Sequence, residues 1–352
     1  MPDFNYWTTH MGSVPHLTPG NLPERLVNLL DIPAWTQHPR RSFRENMYSQ
    51  YTPTLPAVVI DEAKEKVSIN THNDLSSALE KFYSLYLEDD IASFALRPDH
   101  AAGFFAMLDV LKSQPPANGK PSWAKGQVTG PISFGLTVTD QDLRASLYNE
   151  ILVDVIIKNI AMVARWQIRQ LKNVREQVLI FLDEPYLASF GSAYVNLSPE
   201  QVRDYLDEIY DAIHAEGAIG GVHCCANTDW GLLLSTKVDM LNLDAYDYLE
   251  NLALYPVELR EFLDRGGSIC WGLIPNNKQI MNETPDNLAA RLQNGIQSIC
   301  EKAAFRGIRI RPDEFASRSL LSPACGLATT TPDVADRAFD FLAETSAILK
   351  RG

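Results

Sequence analysis

The 352-residue sequence has no long hydrophobic run and little positive charge. No apolar segment approaches the roughly 20 residues that span a bilayer. The first residues have neither the basic nor the apolar region of a secretory signal. Lys and Arg number 31 against 44 Asp and Glu, a formal charge of −13, which argues against a nucleic-acid or anionic-membrane partner. We therefore expect a cytoplasmic protein that binds neither.

Cysteine is also scarce. The five cysteines are odd in number and include an adjacent pair, which is not a disulfide framework and suits a reducing compartment. Apolar residues make up 45% and charged residues 21%, a composition typical of a folded protein with a sizeable core. No repeat, low-complexity segment or linker divides the chain, so we expect one domain over residues 1–352.

Short apolar segments, each followed by a turn and a helical pattern, recur along the chain. Eight strands are predicted, starting near residues 6, 91, 123, 177, 218, 238, 268 and 317. Apolar, non-alternating strands that alternate with helices are typical of a closed parallel barrel. The sequence therefore predicts an α/β fold, a single (β/α)8 TIM barrel. Prolines interrupt residues 17–62, which we expect to form a long irregular excursion after the first strand.

One predicted strand ends in metal-type ligands. Alternate residues of a strand share a face, so His223 and Cys225 can point at one atom while Cys224 points away. Cys325 follows another apolar run about a hundred residues later. One imidazole and two thiolates suit zinc, and three protein ligands leave the open position of a catalytic site. The alternative is two ordinary core cysteines and a surface histidine.

Other polar residues also follow predicted strands. Active sites of these barrels lie at the C-terminal strand ends, so such residues are expected to meet at one rim. The candidates are Gly12, Ser13, Thr129, Asp183, Glu184 and Asp244.

With these residues the chain resembles the catalytic domain of the cobalamin-independent methionine synthases. That family lies within a wider group of zinc-dependent thiol methyltransferases and uroporphyrinogen-decarboxylase-like barrels. The resemblance rests on Met11-Gly12-Ser13-Val14-Pro15, Thr129-Gly130-Pro131, Asp183-Glu184-Pro185, His223-x-Cys225 and Pro323-Ala324-Cys325-Gly326-Leu327.

The resemblance implies one zinc per chain, bound by His223, Cys225 and Cys325. Asp244 stands where the family has a glutamate as fourth ligand, with Asp247 or a water as alternatives.

The resemblance also implies homocysteine as substrate. Asp183 would hold its amino group, and the backbone N–H groups of Gly12 and Ser13 would contact its carboxylate. Thr129 is a further substrate-binding residue by this resemblance, and Asp183 and Asp244 are the predicted catalytic residues.

Two departures from the family bear on the methyl donor. We expect a single barrel, without the additional N-terminal barrel of the full-length synthase, and the seventh strand, 270–275, lacks the histidine implicated in handling methylfolate. It resembles the short form of the synthase, which is associated with corrinoid-bound methyl groups. We therefore expect a methylcorrinoid donor, either free methylcobalamin or a corrinoid protein, with methionine as product.

The sequence is also compatible with alternative functions. The donor could be methyltetrahydrofolate, or the acceptor another thiol such as coenzyme M, although a carboxylate at Asp183 favours an amino acid over a sulfonate. A zinc-free decarboxylase of a tetrapyrrole would need arginines at the rim, for which Arg40, Arg41 and Arg44 are the candidates. A corrinoid-binding or metal-binding module without catalysis, with zinc held structurally, is the last alternative.

Overall fold

A curled sheet of parallel strands organises the computed structural model, which describes residues 2–116, 119–192 and 195–351. Seven strands pair in the order β1-β10-β9-β8-β7-β6-β4, and a small second sheet has the order β2-β3-β5. The strands are Trp7–Thr8 (β1), Val58–Asp61 (β2), Lys66–Ile69 (β3), Trp123–Thr129 (β4), Thr139–Asp140 (β5), Gln177–Asp183 (β6), Ile219–Cys224 (β7), Met240–Asp244 (β8), Ser268–Ile274 (β9) and Ser319–Pro323 (β10).

Helices surround this sheet, as the alternating sequence pattern predicts. They are Leu22–Leu29 (α1), Ser76–Leu87 (α2), Ala102–Ser113 (α3), Pro131–Thr137 (α4), Glu150–Lys172 (α5), Pro199–Ala215 (α6), Trp230–Leu234 (α7), Pro256–Asp264 (α8), Pro285–Phe305 (α9), Pro312–Ala316 (α10) and Pro332–Leu349 (α11). Proline occupies the first turn of several of them, where its missing N–H costs nothing. No helix in the described ranges is long and apolar enough to cross a membrane.

Residues 32–37 lie between β1 and β4 and close the barrel. The N–H of Ile32 donates to Thr8 O on one side at 2.9 Å. On the other side the N–H of Lys125 donates to Pro33 O at 2.9 Å, and that of Trp35 to Lys125 O at 3.3 Å. This extended segment therefore occupies the second strand position, although it lies in the stretch predicted to be an irregular excursion.

The strand predicted near residue 91 is wrong. Ile91–Phe94 is a 3-10 helix whose preceding residue, Asp90, accepts a hydrogen bond from the Ser93 N–H. Ile91 and Phe94 are both buried, so this short apolar run packs one side of a helical turn rather than a strand face. The predicted α/β barrel is confirmed, but its second strand position is filled from a different part of the chain.

Alternate residues of each barrel strand face opposite sides. On β6, Val178, Ile180 and Leu182 pack in the main core towards the helices, whereas Leu179 and Phe181 belong to a separate cluster inside the barrel. That alternation places Asp183 on the inner face of β6. On β4 the inner face begins with Trp123 and continues through Lys125, Gln127 and Thr129. Inside the barrel, polar and charged residues thus replace apolar ones towards the C-terminal ends of these strands.

Candidate metal centre and active site

His223, Cys225 and Cys325 come together at the C-terminal rim of the barrel. Their possible ligand atoms all lie within 4.8 Å of one another, and His223 Nε2 is 3.4 Å from Cys325 Sγ. His223 is in β7, Cys225 directly follows that strand, and Cys325 comes two residues after β10. Because β8 and β9 separate β7 from β10 in the sheet, the curvature of the barrel is what brings these residues together.

The donor set fits a tetrahedral zinc ion. Bond lengths of about 2.0–2.1 Å to nitrogen and 2.3 Å to sulfur place tetrahedral ligands about 3.5–3.8 Å apart. The observed nitrogen–sulfur distance of 3.4 Å is close to that value. Cys224 points away, as predicted: it is fully buried and its Sγ donates to Ala226 O at 3.4 Å.

Asn242 orients the imidazole of His223. Its Nδ2 donates to Cys270 O at 2.7 Å and to Ser322 Oγ at 2.9 Å, which turns its Oδ1 towards His223 Nδ1. Nδ1 therefore carries the proton, and Nε2 presents its lone pair to the two cysteines. Such a partner fixes the tautomer of a metal-binding histidine.

The two thiols share a hydrogen bond and differ in acidity. The hydrogen bond with Cys325, followed by that with His223, lowers the pKa of Cys225 well below its usual value. The same hydrogen bond, followed by burial, raises the pKa of Cys325. Burial disfavours a positive charge on His223, whereas its hydrogen bond with Cys225 and the negative charge of Asp183 raise its pKa.

Asp244, the predicted fourth ligand, ends β8 near this cluster. Its Oδ1 accepts from the Asp247 N–H at 2.9 Å, and burial raises its pKa to about 6. Among the described residues, the group whose ligand atoms meet within 4.8 Å contains only the histidine and the two cysteines. Asp247 is exposed. A metal contact from Asp244 or Asp247 therefore stays a prediction.

A cavity of about 470 Å³ opens next to the cluster. Its wall includes all three candidate ligands, together with Asp183 and residues from the β1 end, the 37–47 segment and the loop after β10. The remaining lining residues are Met11, Ser13, Gln37, Pro39, Arg40, Glu45, Asn46, Met47, Pro185, Asn276, Gly326, Ala328 and Thr329.

Asp183 presents a buried carboxylate to this cavity. Its side chain is 7% exposed, and its Oδ1 has no hydrogen-bond partner within the described part of the chain. Burial raises the pKa of Asp183 to about 6, while His223 and Lys125 act in the opposite direction. A buried carboxylate oxygen without a partner is suited to binding a ligand cation.

The backbone donors predicted at Gly12 and Ser13 are already engaged. The Gly12 N–H donates to His10 Nδ1 at 3.1 Å, and the Ser13 N–H donates to Met11 O at 3.1 Å. Gly12 has φ +83°, and a Cβ there would come within 2.7 Å of Gln127 Nε2, so glycine is required at this turn. Ser13 lies on the cavity wall, but a ligand carboxylate would need a donor other than these two N–H groups.

Thr129 and Glu184 position the wall of the site rather than line the cavity. The Thr129 hydroxyl donates to Met47 O at 2.6 Å and so holds the segment that carries Met47. The fully buried Glu184 accepts from the N–H groups of Ile132 and Ser133 at 2.9 and 2.8 Å, and from Ser133 Oγ at 2.6 Å. Glu184 thereby joins the end of β6 to the first turn of α4.

Sequence reasoning missed Asn242, Glu45 and Met47. Asn242 had a visible signal, since it is a polar residue inside an apolar strand, two positions before Asp244 and on the same face. Glu45 and Met47 had none, because they reach the cavity from a segment without a strand or helix pattern.

No protein-family model and no curated protein matches this sequence. Solved structures share its fold over nearly the whole chain. A B12-independent methionine synthase from Shewanella sp. W3-18-1, in complex with selenomethionine, has TM-score 0.53 and 14% identity and covers 98% of this chain and 97% of its own. A methyltransferase from Methanosarcina mazei has TM-score 0.56 and 11% identity, with 98% and 93% covered. At these identities the likeness establishes the barrel fold.

Proposed function

We propose that this protein is a zinc-dependent methyltransferase that methylates the thiol of homocysteine to give methionine. The observation that carries the proposal is that one cavity wall holds both the His223, Cys225 and Cys325 cluster and the unpartnered carboxylate of Asp183. A thiol-activating group and a site for an ammonium then face the same space. The two solved structures of this fold are described as a methionine synthase and a methyltransferase, which supports the reaction class.

The metal and the chain have separate tasks. A zinc ion bound by the three ligands would lower the pKa of an incoming thiol, which is about 8.5 in water, so that it reacts as thiolate at neutral pH. Asn242 holds the proton on His223 Nδ1 and keeps Nε2 as the ligand atom. Asp183 pairs with the amino group of the substrate and so directs its thiol towards the cysteines.

An amino-acid substrate has support from the neighbouring methionine synthase, which is described in complex with selenomethionine. The competing tetrapyrrole decarboxylase loses support, because of its three candidate arginines only Arg40 reaches the cavity. Arg41 pairs with Glu45, and Arg44 pairs with two carboxylates on the surface.

For the methyl donor we propose a methylcorrinoid. Transfer from methylfolate needs an acid that protonates the leaving nitrogen. Of the histidines in the described ranges, only His223 is on the cavity wall, and it is held by Asn242. Two carboxyl groups also line the wall, but we assign Asp183 to the amino group of the substrate, and Glu45 is paired with Arg41. His10 is not a candidate acid, because burial lowers its pKa to about 3 and its Nε2 bonds Ala34 O. Cleavage of a methyl–cobalt bond requires no such acid.

The test is methionine formation by the zinc-loaded protein from homocysteine. We expect product with methylcobalamin and none with methyltetrahydrofolate, including its polyglutamylated forms. Turnover with methylfolate alone would overturn the donor, and no methionine from any donor would overturn the function.

Adjacent cysteines offer a matched control for the metal site. Cys225→Ser should lose stoichiometric zinc and activity, whereas Cys224→Ser should keep both because its side chain faces away from the cluster. Retention of zinc by Cys225→Ser would refute the site.

A further inference from the structure

A lysine is buried inside the barrel below the cavity. Lys125 lies on the inner face of β4 with a fully buried side chain, and its Nζ has no hydrogen-bond partner in the described ranges. A buried ammonium is strongly unfavourable unless another charge or a polar network compensates it. The proposed methyl transfer gives this lysine no task.

The ammonium of Lys125 points towards Asp183, at the C-terminal ends of the strands. Lys125 Nζ lies over the ring of Phe181, 4.5 Å from its centroid. Phe181 pairs with Gln127, two residues further along β4 than Lys125, so the lysine side chain extends towards the cavity. Asp183 is two residues beyond Phe181 on the same face of β6, about 7 Å further along the strand.

Lys125 and Asp183 interact without touching. Burial lowers the pKa of Lys125 to about 8, and the negative charge of Asp183 is the largest effect that raises this pKa. The Asp183 Oδ1 atom is buried and unpartnered, and so is Oε1 of Gln127, which lies two residues beyond Lys125 on the inner face of β4. Gln127 Nε2 donates to Trp35 O at 3.2 Å, so the orientation of its amide is fixed and Oε1 stays an acceptor. Buried polar atoms of this kind are normally joined by an enclosed water.

We propose that Lys125 is a positioning residue that holds the Asp183 carboxylate in place through a single enclosed water. Lys125 Nζ donates to the water, and the water donates to Asp183 Oδ1, so one buried charge compensates the other. The water occupies one of the four acceptor positions of the carboxylate, which leaves the others for the ammonium of the substrate. This inference rests on the proposed function, in which Asp183 pairs with the amino group of the substrate. Without Lys125 the carboxylate loses its counter-charge and its fixed orientation, and the ligand ammonium binds less tightly.

The binding test compares two thiols on the zinc-loaded, full-length protein by titration calorimetry. Homocysteine carries the amino group, and 4-mercaptobutyrate is the same molecule without it. Lys125→Met should weaken homocysteine binding about tenfold and change mercaptobutyrate binding less than about twofold. Lys158→Met is the control for loss of one positive charge, because Lys158 pairs with Asp154 and Glu208 away from the cavity. It should change neither affinity.

Equal weakening of both thiols by Lys125→Met, or no weakening, would overturn the role of Lys125. If that variant does not fold, Lys125→Gln removes the charge but keeps a polar group, and the same outcomes apply. Equal affinity of the wild-type protein for the two thiols would instead refute the proposed task of Asp183. A crystal structure tests the bridge independently of any substrate, since a water within about 3.2 Å of both Lys125 Nζ and Asp183 Oδ1 is expected. Its absence there would overturn the bridge.

Discussion

Replacing Asn242 by leucine should weaken zinc binding without touching a ligand. Leucine has nearly the same size, but it removes the acceptor for His223 Nδ1 and the two donor bonds to Cys270 O and Ser322 Oγ. His223 is then free to change tautomer and to rotate. Loss of a partner of this kind costs 10- to 100-fold in metal affinity, or about 1.4–2.7 kcal/mol.

The same substitution should also destabilise the fold. Three buried hydrogen bonds are lost at about 1 kcal/mol each, so the free energy of unfolding should fall by about 3 kcal/mol. That loss must be separated from the effect on zinc. Asn159→Leu is the matched control, because Asn159 is equally buried but lies in α5, where its Nδ2 donates to Tyr51 O at 2.8 Å. It should lower stability by about 1 kcal/mol and leave the zinc affinity unchanged.

The assay is a competition titration of the apo protein and a chromophoric chelator for zinc at pH 7.5, with urea unfolding of the same samples. A zinc affinity of folded Asn242→Leu within about twofold of the wild type would refute the orienting role. An equal loss of zinc affinity in Asn159→Leu would also refute it, because the weaker zinc binding would then result from lower stability alone.

Three further predictions concern other parts of the structure. Gly130→Ala should lower the free energy of unfolding by more than about 2 kcal/mol in urea titration, because the added Cβ would overlap the buried Glu184 carboxylate; an unchanged unfolding midpoint would contradict that packing. Cys325→Ser should release zinc, measured as metal content after dialysis, and full occupancy would rule Cys325 out as a ligand. The hydrogen bond to Asp239 raises the pKa of His214, so this pair stabilises the protein below pH 6.5 and less as the pH rises through the folded-state pKa. The wild-type protein should lose stability between pH 6 and 9 as this pair breaks, and Asp239→Asn should lose less over the same range. The difference should be at most about 1 kcal/mol because the pair is partly exposed, and identical pH profiles would contradict the assignment.

The ligand cluster could be predicted from sequence because of a general property of parallel barrels. Residues that directly follow parallel strands meet at one rim, so His223, Cys225 and Cys325 could be placed together from their positions after apolar runs. The same reasoning placed Asp183 in the cavity. These predictions required only that each strand be recognised in the sequence, and no knowledge of how the strands pack.

The second strand position could not be predicted. Pro33 lies within residues 32–37 and Pro39 follows them, and both interrupt the local sequence pattern. The pairing of this segment with β1 and β4 is also irregular, so no strand pattern identifies it. Ile91–Phe94 misled for the opposite reason. Its apolar residues resemble a strand, but Asp90 caps a helical turn there, and a run of four residues is too short to separate the two periods.

The sequence by itself determined the class of fold and the set of candidate metal ligands, because both follow from residue type and order along single strands. Only the tertiary structure decided which groups around the ligands are free to act. The N–H groups of Gly12 and Ser13 are hydrogen-bonded within the chain, and the partners of Asn242 and the surroundings of Lys125 come from strands that are distant in sequence. The physical reason is that hydrogen bonds and interactions of buried charges depend on distances between different strands and helices. The order of residues along the chain does not specify these distances.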